Sequence, residues 1–277
     1  MSGIKEATIV EDEERRQYHI GLSPKEIAPY IILVGDQDRA HRAGEELLTE
    51  VKYTNQNREF VSYTGKYGET PVTVLSTGIG TDNMEITLIE LFNICENPTL
   101  IRVGSSGGLQ DFTKLGDMVV SSGAVRLENT SLFFVDEGYP AVANYEAVIA
   151  LAKAAKELEL PWHIGLTATA SGFYGAQGRK IPGFPLRYPE LPNRLRELNV
   201  YNFEMESSTL FTLAAVKGVR AGTVCTIYAN RPENTFISAE DKPNAELNAL
   251  KVGLRGLQIL EQMDKEKKGE KNWLPKE

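Results

Sequence analysis

Arg102 stands inside the apolar run Leu100, Ile101 and Val103, directly ahead of Gly104, Ser105, Ser106, Gly107 and Gly108. A guanidinium keeps its proton at any working pH and is costly to bury alone, so it requires an anionic or strongly polar partner at that strand end. One candidate is a structural ion pair with an Asp or Glu elsewhere in the chain. The other is a ligand, because bare backbone N–H groups and hydroxyls beside a guanidinium form an oxyanion cradle, and phosphate fits it. The segment VGDQDR, residues 34–39, repeats the theme with Gly35 and Arg39 after an apolar strand, and STGIG, residues 76–80, repeats it again. Asp36 and Asp38 can equally serve as helix caps.

Two other segments carry groups that suit a nucleoside. Gln177 and Arg179, in the glycine-rich stretch 172–179, have donors and acceptors to read the edge of a heterocycle, and Phe173 can stack on a ring or a sugar. The bland reading of that stretch is a surface excursion. Glu204, Met205 and Glu206 end a strand at 200–203, where a carboxylate can accept from a vicinal diol while the methionine packs beneath it. The competing reading is helix capping by Glu206 or Ser207. His19, alone in YHIGLSP, is a minor candidate.

Composition narrows the ligand class. The 277 residues are 42% hydrophobic and 25% charged, ordinary for a globular chain with a large core, and the net charge of -8 argues against a nucleic-acid surface. A small anion needs only local arginines. Cys95 and Cys225 sit in apolar surroundings, which points to free thiols and a reducing cytoplasm rather than a disulfide framework. Three histidines without metal-ligand spacing give no support for a transition-metal centre. No window approaches the ~20 apolar residues of a membrane span, and the acidic N-terminus lacks the apolar core of a leader peptide.

The elements that must hold these groups alternate between strand and helix. Strands are expected at 30–34, 57–61, 71–75, 100–103, 118–125, 162–169, 200–203 and 219–228, with helices at 40–48, 82–96, 145–158, 209–217 and 243–263. Glycine turns after three of the strands imply one crevice at the carboxyl edge of a sheet. Neither GxxxxGK[ST] nor GxGxxG is present, so the crevice is not a P-loop or a dinucleotide site. The economical architecture is a single three-layer αβα sandwich on a central mixed, largely parallel twisted sheet. Residues 1–16 are expected to be a flexible arm, 17–263 the folded domain, and 264–277 a charged, frayed tail.

Taken together and in order, VGDQDR, STGIG, IRVGSSGG, FYGAQGR and NFEMES resemble the nucleoside phosphorylase-I family, most like its uridine phosphorylase branch, over residues 17 to 262. The resemblance implies a pentosyltransferase that splits uridine reversibly with inorganic phosphate into uracil and ribose 1-phosphate. It assigns phosphate binding to Gly35, Arg39, Arg102 and Ser105, with Arg58 of NREF reaching in from a neighbouring subunit. Ribose falls to Glu204, Met205 and Glu206, with His19 crossing the same boundary to the 5′-hydroxyl. The base falls to Phe173, Gln177 and Arg179, and Arg231 steadies the loop. Catalysis is expected from Arg39, Arg102, Gln177 and Arg179, with no organic cofactor and phosphate as co-substrate.

Shared sites imply a homo-oligomer, with a dimer as the minimal unit and three stacked dimers as the family's common hexamer. Two segments depart from the family pattern. Thr81-Asp82-Asn83 replaces the residues that complete an interface cation site in bacterial relatives, so only Glu59 and Ile79 match and no metal is assigned. The proline-rich stretch 180–192 is this chain's own, which leaves the choice among uridine, deoxyuridine and thymidine open. Purine nucleoside phosphorolysis is the nearest alternative, yet Ile227 to Arg231 lacks the carboxylate that helps a purine leave. Nucleoside hydrolysis, a dinucleotide oxidoreductase and a non-catalytic nucleoside sensor of the same fold complete the alternatives.

Overall fold

The computed structural model describes residues 7–275. Strand β1 (Tyr30–Val34) explains the layering, because successive side chains of a strand point to opposite faces. Ile31 and Leu33 pack into one cluster with α2 (Thr81–Ile94) and α5 (Ser207–Lys217). Ile32 and Val34 pack into the other with α1 (Gln37–Arg42), α3 (Tyr145–Glu157) and α6 (Lys242–Lys267). A strand apolar on both faces must be covered twice, and the three-layer αβα expectation follows.

The remaining strands are β2 (Thr49–Asn57), β3 (Phe60–Tyr67), β4 (Thr70–Ser76), β5 (Thr99–Gly108), β6 (Met118–Leu127), β7 (Ala141–Val142), β8 (Trp162–Ala170), β9 (Val200–Glu204), β10 (Arg220–Asn230) and β11 (Thr235–Phe236). With β1 they form one sheet in the order β11-β10-β6-β8-β9-β5-β1-β4-β3-β2, with β7 paired to β6 off this path. Strands β4, β1, β5 and β10 run parallel, as do β6, β8 and β9. The β2–β3–β4 meander and the β10–β6 and β5–β9 pairings are antiparallel. The sheet is therefore mixed, with parallel pairing concentrated at its centre. Because β5 also pairs with β10, five strands close into a ring, which the open sandwich did not foresee.

Parallel alignment brings the carboxyl ends of β1, β4, β5 and β10 to one edge. Strand β5 differs from the expected short run ending in a turn: it continues through Gly104-Ser105-Ser106-Gly107-Gly108, paired with a bulged stretch of β10. Small side chains allow this. A Cβ on Gly104 would meet Arg102 Nη2 at 2.7 Å and Cys225 Sγ at 2.9 Å, so the strand passes there only as glycine.

Other boundaries moved for local reasons. The helix expected at 40–48 begins at Gln37, where Asp36 accepts from the Asp38 N–H, and it loosens into a wider turn over Ala43–Leu47. The edge strand β2 escaped prediction because its side chains are mostly polar and exposed. The proline-rich stretch gives way to a short helix, α4 (Leu191–Glu197), opened by a proline in its first turn.

At the ends, the expected arm falls partly on residues 1–6, outside the described residues, while Arg16 forks onto both carboxylate oxygens of Glu26 at 2.8 Å. The tail expected to fray from 264 instead stays helical to Lys267. Trp273 packs against the core, and its indole N–H donates to Glu266 at 2.9 Å. No helix among the described residues is long and apolar enough to cross a membrane.

Candidate active site

The three glycine-bearing segments share one cavity of about 790 Å³ at the carboxyl edge of the parallel strands. Gly35, Gly78 and Gly104 to Gly107 line it, as does Ala229 near the end of β10. Gly78 takes φ +77°, where a side chain is strained, and a Cβ there would stand 2.3 Å from the Asn83 amide nitrogen. The turn is thus closed to any side chain by its packing against Asn83.

The ion-pair reading of Arg102 is the one realised. Its side chain lines the cavity, yet Nε donates to Glu204 Oε2 at 3.0 Å and Nη2 lies 2.5 Å from Glu206 Oε2. All three groups are almost completely buried. Burial alone would lower the Arg102 pKa, but the Glu206 and Glu204 carboxylates outweigh it and hold the guanidinium firmly charged. Burial raises Glu206, with Arg102 opposing and Glu204 adding to the rise, since one cation cannot balance two adjacent carboxylates. Burial likewise pushes the Cys225 thiol up to about 12, so it is an inert neighbour.

The two carboxylates then divide their work. Glu204 accepts from the Thr169 hydroxyl at 2.5 Å and from the backbone N–H groups of Glu206 and Ser207 at 2.9 Å. It caps α5 and aims Arg102, so its oxygens are already engaged. The capping expected of Glu206 or Ser207 is performed two residues earlier. Glu206 accepts from the Gly80 N–H at 2.7 Å, which ties the STGIG turn to Arg102, and it lines the cavity beside Met205.

Gly35, Arg39 and Ser105 also line the cavity. Arg39 is 7% exposed; its Nη1 donates to the Val103 carbonyl at 3.2 Å, its Nη2 reaches Glu246 Oε1 at 3.4 Å, and its Nε is buried without a partner among the described residues. Phe173, Gln177 and Arg179 occupy the cavity wall formed by the loop after β8. Arg179 Nε donates to the Phe173 carbonyl at 3.0 Å, and its guanidinium stacks 4.0 Å from the centre of the Phe173 ring. Arg231 does not line the cavity, but its Nη2 donates to the Gln177 carbonyl at 3.2 Å. Burial lowers the pKa of Arg231, and the nearby Arg179 adds to it.

His19 and Arg58 stand apart from this cavity. They share a patch around Tyr18, whose hydroxyl accepts from Arg58 Nη2 at 3.1 Å and whose ring meets the His19 imidazole edge-on at 4.9 Å. His19 Nδ1 is 2.6 Å from Glu90 Oε1, and Glu90 also accepts from the backbone N–H groups of His19 and Ile20. Gln37, a cavity residue, donates to the Arg58 carbonyl at 3.0 Å.

The cavity also contains residues that sequence reasoning missed, among them Tyr228 from β10 and Lys242 and Glu246 from α6. Burial raises the Tyr228 phenol, with Arg39 opposing and Glu246 adding to it. Nothing in the amphipathic pattern of α6 marks Glu246, because an exposed helix face and a cavity wall read alike in sequence.

A family model for the phosphorylase superfamily matches residues 29–259. The uridine phosphorylase of Thermococcus kodakarensis is 42% identical over 95% of this chain and 94% of its own length. That of Escherichia coli is 34% identical over 85% of this chain and 94% of its own. A guanosine phosphorylase of Halorubrum lacusprofundi is 32% identical over 78% of this chain and 84% of its own. The match spans the strands that frame the cavity and the helices that cover them, and the chain belongs to the phosphorylase superfamily.

Proposed function

We propose that the chain is a uridine phosphorylase. The observation that carries this is one cavity in which Arg39 and Arg102 stand with Gly35 and Ser105, together with Glu206, Met205, Phe173, Gln177 and Arg179. In the forward direction a phosphate oxygen forms a bond to the anomeric carbon, the bond from that carbon to the uracil nitrogen breaks, and its electron pair leaves with the base. Positive charge grows on the sugar in between, so a dianion held beneath it by guanidinium groups is both nucleophile and counter-charge. Gln177 and Arg179 would donate hydrogen bonds to the departing uracil anion. Glu206 would accept from a ribose hydroxyl while Met205 packs against the ring.

A pyrimidine is favoured over a purine because the run Tyr228-Ala229-Asn230-Arg231 at the cavity edge carries no carboxylate to protonate the leaving base. Arg231 stands there instead, against the loop that carries Gln177. Two relatives named for uridine support the same choice, with the guanosine enzyme as the second reading. His19 and Arg58 lie outside their own cavity, which supports a dimer in which each reaches the neighbour's ribose and phosphate. Incubation with uridine, deoxyuridine, thymidine, inosine and guanosine, each with and without phosphate, tests the reading. Release of uracil only in the presence of phosphate is expected; base release without phosphate, or from purine nucleosides alone, overturns it.

A further inference from the structure

We propose that Glu246 is the positioning residue for Arg39, and that it sets the affinity for phosphate without touching the nucleoside. This rests on the phosphorolysis reading above. Among the described residues Glu246 is the only carboxylate within ion-pair distance of the Arg39 guanidinium, at 3.4 Å. Among the described residues the guanidinium's other hydrogen bond goes to the Val103 carbonyl at 3.2 Å, and the Tyr228 phenol lies beside both Arg39 and Glu246. One hydrogen bond leaves a long side chain free to rotate, whereas a second at the opposite nitrogen fixes the plane of the guanidinium. In that plane Nε stays buried, a donor with no acceptor among the described residues.

The charge balance suits an incoming anion. Glu246 sits 3.8 Å from Lys242 as well, so its negative charge is shared between two cations and does not saturate Arg39. The contact is long enough to orient the guanidinium yet leave its donors for a stronger acceptor, as a phosphate oxygen is. Glu246 comes from α6 and Arg39 from α1, so the pair also locks the first turns of the last helix against the first glycine turn.

The test is Glu246→Gln, which keeps the shape and removes the charge. KM for phosphate should rise about tenfold, the equivalent of ~1.4 kcal/mol, while KM for uridine at saturating phosphate stays within about twofold. In an Arg39→Ala background the same change should add less than about twofold, because the effect travels through Arg39. An unchanged phosphate KM, an equal rise in both constants, or full additivity with Arg39→Ala overturns the assignment. Glu246→Asp, which retracts the charge, serves if the glutamine variant does not fold, and an unchanged phosphate KM there has the same meaning. Calorimetric titration with inorganic phosphate alone separates the two claims. If the wild type lacks turnover the phosphorolysis reading falls, while equal phosphate affinity in wild type and variant sinks the positioning role by itself.

Discussion

Arg102 Nη2 lies 2.5 Å from Glu206 Oε2, where β5 meets the turn that leads from β9 into α5. Glu204 completes the group from the other side of the guanidinium, at 3.0 Å. Two buried carboxylates thus face one cation, and the surplus negative charge has consequences for pH.

Because burial raises Glu206, the folded protein binds that proton more tightly than the unfolded chain does. Ionising Glu206 therefore costs stability as pH rises from the ordinary glutamate value through the raised one. Glu206→Gln leaves a matched Arg102–Glu204 pair and should flatten that decline. Urea unfolding across mildly acidic to neutral pH should show the variant gaining on the wild type as pH increases. Its phosphorolysis should nevertheless drop by roughly tenfold or more, since a neutral amide is a poorer acceptor for a sugar hydroxyl.

Arg102→Ala is the converse experiment. It leaves Glu204 and Glu206 buried side by side without a cation, a change that costs about 3–5 kcal/mol in comparable buried pairs. A lower urea midpoint and loss of phosphate-dependent uracil release are expected together. A variant of unchanged stability would contradict the buried-triad geometry.

Arg231→Ala probes the loop that carries Gln177. The Arg231 hydrogen bond to the Gln177 carbonyl is worth on the order of 1 kcal/mol, so its loss should raise KM for uridine several-fold. KM for phosphate should not move. This is the mirror image of the split expected for Glu246→Gln, and equal changes in both constants would refute a loop-steadying role.

Sites shared across a dimer can be read by mixing. In the proposed dimer Arg58→Ala would spoil the neighbour's phosphate site, whereas Arg179→Ala would spoil the subunit's own base site. Random re-association of two inactive variants should restore about a quarter of wild-type activity, because half the dimers are mixed and each of these holds one intact site. Absence of any recovery would place Arg58 outside the neighbour's site.

Much of this was legible from residue order. Apolar runs ending in glycine located β1, β4 and β5, since a buried parallel strand is apolar on both faces and glycine is needed where the backbone must approach a ligand. The same runs identified Gly35, Arg39, Arg102 and Ser105, which share the cavity, and the ordered motifs identified the superfamily. Only the tertiary structure could decide which neighbours those groups have. It turned the glycine-serine stretch after Arg102 into paired strand, closed five strands into a ring, and made Glu204 a cap for α5. It also brought Glu246 from the last helix to Arg39, 207 positions earlier in the chain. Local pattern reports how a segment meets water and backbone geometry, while pairing between distant charges depends on how helices settle on the sheet, and no periodicity records that.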